Sequence, residues 1–193
     1  MKKTRLIKAR IVVSLILIGF LMLLFWDKSN VVLRFSNPIK YTEYVKKYAE
    51  ENRLDPHLVL AIIRTESNFN EEAVSSKSAK GLMQITKNTG LWGASVLNIN
   101  DYSEKKLFDP ETNIKIGCWY FSNLKNQFKS TDLAIVAYNG GSGNLERWLK
   151  KNKIDIKHKN WVSNIPYKET REYIKKVKKM YSLYLRLYEN YNW

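Results

Sequence analysis

The sequence of 193 residues has few residues of the kinds that cross-link a chain or bind metals. Its one cysteine, Cys118, excludes a disulfide within the chain, and a domain of this length can fold without one. The two histidines, His57 and His158, lie far apart, so no zinc-type ligand cluster is recognisable. The sequence therefore predicts a function that uses neither a metal nor a cofactor.

Long alternating strand patterns and internal repeats are also lacking, whereas 45% of the residues are hydrophobic, enough for a packed core. Helix signals dominate after residue 37, and the predicted fold is mainly α. Apolar residues of the last helix share one face, opposite a run of lysines. The segments 68–88 and 152–166 show no clear period. The predicted helix starts are Asn37-Pro38, Asp55-Pro56, Asp109-Pro110, Thr131-Asp132, Ser142 and a position near Pro166.

Acidic residues are scarce: 33 Lys and Arg face 18 Asp and Glu, which gives a formal net charge of +15. Such a charge indicates polyanionic surroundings, and nucleic acid, anionic lipid and anionic wall polymers all fit. Residues 150–180 hold eleven basic and three acidic residues, a net of +8. This segment is either a solvated helix face or a surface that attracts anionic wall polymers or lipid headgroups.

Residues 1–10 contain five Lys or Arg and no acid, and only Ser14 and Gly19 interrupt the large apolar residues of 11–26. This pattern predicts a basic cytoplasmic flank followed by one transmembrane anchor. No small-residue cleavage site follows the run, so we expect the anchor to be retained. Residues 27–37 would form a linker, reaching roughly 35 Å at most. The domain at 38–193 is thus expected on the outer face of the cytoplasmic membrane, which argues against nucleic acid as a partner.

One glutamate, Glu66, lies at the end of a strongly apolar predicted helix that runs from Leu58. Apolar surroundings and the partial negative charge of a helix C-terminus both raise the pKa of a carboxyl group. A glutamate that keeps its proton near neutral pH is what acid catalysis of glycosidic cleavage requires. The pattern has little weight by itself, because most helical glutamates are solvated surface residues.

The segments around and after Glu66 resemble the lytic transglycosylases of the soluble type, relatives of goose-type lysozyme in the lysozyme-like superfamily. The resemblance covers about residues 40–178, and its value is in the ordered set of motifs. Those motifs are 66–69 (ESNF), 73–75 (AVS), 81–84 (GLMQ), 107–110 (LFDP), 113–114 (NI) with Gly117, 137–140 (AYNG), 165–167 (IPY), and 169–171 (ETR) with Tyr173. The sequence departs from the family pattern at Lys77, Lys80 and 85–87.

The resemblance implies a lysozyme-like catalytic domain that acts on the glycan strands of bacterial peptidoglycan. Glu66 would protonate the oxygen between N-acetylmuramic acid and N-acetylglucosamine, through a transition state of oxocarbenium character. The same carboxylate would then take the proton of the muramic 6-hydroxyl as that oxygen attacks the anomeric carbon. The product is a 1,6-anhydro sugar, and the substrate's own acetamido group would supply part of the assistance.

The family pattern also implies supporting residues around Glu66. Glu169 is interpreted as structural, bonding buried backbone, and Gly81 as a point of close backbone approach. The implied supporting residues are Ser67 (local backbone geometry), Ser75 (orientation of acid or substrate), Met83 and Gln84 (groove lining), Tyr138 and Asn139 (contacts with sugar or Glu66) and Tyr173 (a hydroxyl near Glu66).

Two other functions remain open on the sequence. A hydrolytic muramidase of the same fold would need a second carboxylate to activate water, and Asp101, Asp109 and Glu111 are candidates. A catalytically silent glycan-binding scaffold belongs to a different class, and the presence of Glu66 among the groove residues counts against it.

Overall fold

The computed structural model describes residues 10–20, 31–151, 154–189 and 191. The chain divides into two compact units, Met1–Ile39 and Lys40–Trp193. In the first unit, residues 10–20 and 31–36 are helical. Within the described ranges, no helix has both the length and the apolar character that a membrane span requires. Of the predicted anchor and linker, residues 21–30 lie outside the described residues.

The second unit is mainly α, as predicted, and its described part contains no strand beyond two isolated β-bridges, Val74–Lys80 and Lys80–Ile85. Two short 3-10 helices, Glu104–Phe108 and Trp161–Asn164, connect its longer elements. The α-helices are α1 (Thr42–Glu51), α2 (Pro56–Ser67), α3 (Lys87–Val96), α4 (Pro110–Phe128), α5 (Thr131–Gly140), α6 (Ser142–Lys150) and α7 (Lys168–Tyr188).

Side-chain caps explain where several helices begin. The Asp55 carboxylate accepts the backbone N–H of His57 at the start of α2, and the Asp109 carboxylate accepts that of Thr112 at the start of α4. Both Asp-Pro starts are therefore confirmed. The predicted start at Asn37-Pro38 is wrong, because the Asn37 amide donates back to the Leu33 carbonyl and so ends the preceding helical turn.

Helix α3 was not predicted from the sequence. Its buried residues are Gly90, Gly93 and Ala94, so the face that packs carries almost no apolar side chain. A Cβ added at Gly93 would lie 2.8 Å from the Ile116 side chain, which shows how closely α3 approaches α4. The large apolar residues of α3 therefore lie on its exposed side, and their pattern does not reveal the face that packs.

The loop between α2 and α3 is held by one buried amide. The Asn113 side chain on α4 donates to the carbonyl oxygens of Lys80 and Leu107 at 2.9 and 2.6 Å, and accepts the N–H of Met83 at 2.8 Å. Gly81 has a φ of +72° and packs directly against Asn113, where no Cβ would fit. These contacts fix the backbone on which one wall of the central cavity is built.

Helix α7 packs along α2 and completes the core. Tyr173, Val177 and Tyr184 are buried on one face, and the lysines between them are exposed, as predicted. Burying this stripe against the apolar residues of α2 brings two segments about 110 residues apart into contact. The ends of α2, α5 and α7 meet around a cavity next to Glu66.

Candidate active site

Glu66 is the penultimate residue of α2 and lies half-buried in the cavity wall. The preceding residues of the helix, 57–63, are buried, so the carboxyl projects from an apolar core element. The helix stops one residue later because Asn68 adopts a left-handed conformation, with φ of 55°, and donates its N–H to Arg64. Glu66 therefore lies in the last turn of an apolar helix, the position that the sequence predicted.

Burial raises the pKa of the Glu66 carboxyl to about 7. A hydrogen bond from Tyr173 lowers this pKa and the negative charge of Glu169 raises it, and the value of about 7 is the result of all three causes. Desolvation is the largest of the three causes, because the charged carboxylate loses its hydration and one tyrosine hydroxyl replaces only part of it. Glu66 can therefore hold a proton near neutral pH and give it to a group in the cavity.

Tyr173 is the direct partner of Glu66. Its side chain is buried on α7, and its hydroxyl donates to Glu66 Oε1 at 2.7 Å. Burial, with the nearby charge of Glu66, raises the pKa of the Tyr173 hydroxyl well above its usual value. Tyr173 therefore remains protonated, and it holds one oxygen of the carboxyl while leaving the other available.

Tyr138, on α5, supports the opposite wall. Its hydroxyl donates to the Met83 carbonyl at 2.8 Å, and its ring packs against Tyr120 and Phe121. Met83 itself is fully buried, and its side chain fills the space beside Gly117. Met83 thus supports the wall from behind, and the expectation that its side chain lines the groove is wrong.

The cavity beside Glu66 has a volume of about 360 Å³ and is open to solvent. A second cavity of about 270 Å³ adjoins it and shares Gln84, Thr86, Tyr138 and Asn139 with it. Together the two form a groove, the kind of site that an extended substrate fits. The residues that line the first cavity are Glu66, Ser75, Ser76, Lys77, Ala79, Gln84, Thr86, Tyr138, Asn139 and Glu169.

Two side chains that the sequence assigned to this site, those of Gln84 and Asn139, already form hydrogen bonds with other groups of the protein. The Gln84 amide nitrogen donates to the carbonyls of Ala73 and Gly81, which leaves its oxygen for the groove. Asn139 Oδ1 accepts the hydroxyl of Thr170 at 2.8 Å, which leaves its amide nitrogen. Because each side chain is fixed through one end, the other end is held ready for a ligand.

The two predicted serines have structural hydrogen bonds. Ser75 Oγ accepts the backbone N–H groups of Lys77 and Ala79, so it shapes the loop that carries the cavity wall. Ser67 Oγ donates to the Ile63 carbonyl in the preceding turn of α2. Ser67 is absent from the lining residues, in line with the local backbone role that the sequence predicted.

Glu169 and Lys77 form an ion pair in the cavity wall that the sequence did not predict. Lys77 Nζ lies 3.2 Å from Glu169 Oε2, and both side chains are mostly exposed. The expectation that Glu169 bonds buried backbone is therefore wrong. Lys77 is one of the departures from the family pattern, and its partner is Glu169. Lys80, another departure, pairs with Glu104 and ties the loop to the 3-10 helix that precedes α4.

The other acidic candidates lie outside the cavity. Asp109 caps α4, and Glu111 accepts hydrogen bonds from Lys47 and Tyr48. Asp101 is exposed and absent from the lining residues. Across the described residues, no group of three His, Cys, Asp or Glu side chains could hold a metal ion. Glu169 is thus the acidic residue that shares the cavity with Glu66.

Comparison with known proteins identifies the family. The transglycosylase SLT domain matches residues 43–161, and this chain belongs to that family. It is 35% identical over 154 residues to the soluble lytic murein transglycosylase of Escherichia coli K12, covering 79% of this chain and 23% of the relative. It is 32% identical over 176 residues to the membrane-bound lytic murein transglycosylase C of Edwardsiella ictaluri, covering 77% of this chain and 47% of the relative.

The fold comparison agrees with the family. The crystal structure of the 70 kDa soluble lytic transglycosylase of Escherichia coli superposes with a TM-score of 0.73 at 34% identity. The superposition covers 80% of this chain and 25% of the other. The predicted lysozyme-like, mainly α fold is confirmed. This chain spans about a quarter of the soluble relatives' length, so the comparison concerns their shared domain.

Proposed function

We propose that this chain is a peptidoglycan lytic transglycosylase that cleaves the bond between N-acetylmuramic acid and N-acetylglucosamine, with Glu66 as its acid. The observation that carries the proposal is the Glu66 carboxyl, whose pKa burial raises to about 7 at the wall of an open groove. Two relatives named lytic murein transglycosylases support the same reaction class. The arrangement also fits glycan chemistry, because the groove is lined by hydroxyl and amide groups that can bond sugars.

In the proposed reaction, the proton of Glu66 passes to the glycosidic oxygen as the bond from that oxygen to the anomeric carbon breaks. The muramic 6-hydroxyl oxygen then attacks the anomeric carbon, and its proton passes to the Glu66 carboxylate. The product is a 1,6-anhydromuramic end, no water is consumed, and Glu66 regains the proton it gave. Tyr173 binds Oε1 throughout, which keeps the other carboxyl oxygen directed into the groove.

A hydrolytic muramidase is the second candidate, and it now depends on Glu169. Asp101, Asp109 and Glu111 lie outside the cavity, whereas Glu169 lines it together with Glu66. Glu169 is an exposed carboxylate paired with Lys77, and in a hydrolytic reaction it would be the base that activates water. The ion pair counts against this role, because Lys77 Nζ lies 3.5 and 3.2 Å from the two carboxylate oxygens, where an attacking water would have to bind.

Product analysis separates the two reactions. The full chain would be incubated with bacterial sacculi, and the released muropeptides weighed by mass spectrometry. We expect products one water lighter than hydrolytic products, from the wild type and from Glu169→Gln alike. Reducing-end products that vanish in Glu169→Gln would establish the muramidase instead. If neither product is released, the chain is a glycan-binding scaffold.

Tyr173→Phe is expected to move the pH dependence of cleavage. The active form carries a protonated Glu66, so the rate falls as the pH rises through about 7. The Tyr173 hydrogen bond lowers the pKa of Glu66, so its loss raises this pKa and shifts the alkaline limb to higher pH. The maximal rate should fall about tenfold, because the carboxyl is no longer held.

The measurement is the rate of muropeptide release between pH 5 and pH 9, compared with Tyr181→Phe. Tyr181 lies on the same helix, and its hydroxyl donates to Asp55 at 2.7 Å, away from the groove. Removing the Tyr181 hydroxyl should leave the alkaline limb of the pH profile at its wild-type pH. If the alkaline limb of Tyr173→Phe lies at the same pH as that of the wild type, the Tyr173 hydroxyl does not act on Glu66.

We further propose that residues 11–26 anchor the chain in the cytoplasmic membrane, that 27–37 form a linker, and that 38–193 form the catalytic domain outside. The basic flank and the apolar run support this topology, and a relative named membrane-bound supports association with a membrane. We also propose that the basic segment 150–180 attracts anionic wall polymers and so helps to hold the domain at the wall. Alkaline carbonate should fail to extract the full chain, and external protease should cut its domain; extraction by carbonate would refute the anchor. Because the attraction of 150–180 to wall polymers is electrostatic, binding of the chain to sacculi should weaken as the salt concentration rises.

A further inference from the structure

Trp92 is a large aromatic residue on the open side of α3, with 52% of its surface exposed. Its ring is nevertheless fixed from behind. The Trp119 ring of α4 packs edge-to-face against it at 4.7 Å between centroids, and the Tyr120 ring does so at 6.3 Å. A rigid, exposed aromatic ring of this kind can bind a ligand at a low cost in conformational entropy.

The position of Trp92 links it to the groove. Tyr120 lines the second cavity, and its ring lies 5.6 Å from the ring of Tyr138, which lines both cavities. Thr89, one helical turn before Trp92 on α3, also lines the second cavity. The aromatic rings of Tyr138, Tyr120 and Trp92 therefore run in sequence from the catalytic cavity to the surface.

We propose that Trp92 forms a further glycan-binding subsite at the outer end of the groove, where its ring packs against one N-acetylhexosamine of the strand. This inference rests on the proposed action of the chain on glycan strands. One face of a pyranose ring presents C–H groups, which suit the negative face of an aromatic ring. Neither Trp92 nor Trp119 stands in the motifs that carry the family resemblance.

The neighbouring residue Leu91 provides a matched control. It is 51% exposed on the same helix, next to Trp92, but it has no aromatic ring for a sugar to pack on. A general apolar patch would use both side chains, whereas a sugar platform would use Trp92 alone. Continuity with the polar groove through Tyr120 favours the sugar over a protein partner.

The test uses the full chain carrying Glu66→Gln, so that binding is measured without cleavage. Calorimetry would give its affinity for β-1,4-linked N-acetylglucosamine oligomers of two to six sugars. We expect Trp92→Ala to weaken hexamer binding about tenfold and to leave trimer binding unchanged, with Trp92→Phe retaining most of the hexamer affinity. Leu91→Ala should bind every oligomer as the parent does.

Equal affinities of Trp92→Ala and its parent at all lengths would overturn the subsite, as would a loss of equal size for trimer and hexamer. A matching loss in Leu91→Ala would make the surface a general apolar patch and overturn it too. The proposed function is judged separately, by muropeptide release from the chain that retains Glu66. Length-dependent binding through Trp92 without any release would keep the subsite and reject the enzyme.

Discussion

Replacing Glu66 by glutamine is expected to lower muropeptide release by at least about 100-fold, because the amide cannot donate the proton that glycosidic cleavage needs. Glutamine has the same shape, and its amide oxygen can still accept the Tyr173 hydroxyl that now donates at 2.7 Å. The variant should therefore fold normally. The measurement is the initial rate of release from sacculi, with the thermal midpoint recorded on the same samples.

The stability of this variant carries a second prediction with a definite sign. The folded state raises the pKa of Glu66 from 4.5 to about 7, so folding favours its protonated form. The stability that this proton provides is complete below pH 4.5 and is lost as the pH rises through about 7. Glu66→Gln should match the wild type at pH 4 and be the more stable of the two at pH 8.

Glu72→Gln is the matched control, since Glu72 is an exposed carboxylate on the loop after α2. Its substitution should leave the rate of release unchanged. Full activity in Glu66→Gln would contradict the assignment of the acid and direct attention to Glu169. A rate lost together with the thermal midpoint would show that Glu66 is needed for folding.

Local chemistry made part of this site predictable. The Asp55-Pro56 start and the apolar residues that follow specify α2, and they place Glu66 at its end. The raised pKa of Glu66 follows from the same apolar surroundings. Tyr173 is different, because its helical period predicts only burial. Its proximity to Glu66, 107 residues away, came from the family resemblance and depends on the packing of α7 against α2.

Other features could not be read from the sequence, for physical reasons. Helix α3 packs through Gly90 and Gly93, which contribute nothing to an apolar period. The pair of Lys77 and Glu169 joins two exposed residues 92 positions apart, and no periodicity relates them. The Met83 side chain was expected in the groove, but it points into the core, where it packs beside Gly117. Such contacts are set by tertiary packing, which a local pattern does not record.

The largest expected effect on stability comes from Asn113→Leu. The Asn113 side chain is fully buried, and it accepts the Met83 N–H and donates to the carbonyls of Lys80 and Leu107. Leucine offers neither a donor nor an acceptor, so the Met83 N–H and the Leu107 carbonyl lose these partners inside the protein. Buried polar groups left without partners cost about 1–3 kcal/mol each, and we expect the variant to lose about 3 kcal/mol of unfolding free energy.

Urea unfolding of the full chain measures this loss as a lower midpoint at an unchanged slope. Asn126→Leu is the control on the same helix, because Asn126 is exposed, and its change should stay within about 0.5 kcal/mol. The Asn113 contacts also hold the backbone that presents Gln84 and the Met83 carbonyl bound by Tyr138. Cleavage by Asn113→Leu should therefore fall even where the variant remains folded. An unfolding free energy within 1 kcal/mol of the wild type would show that this loop holds its shape without the buried amide.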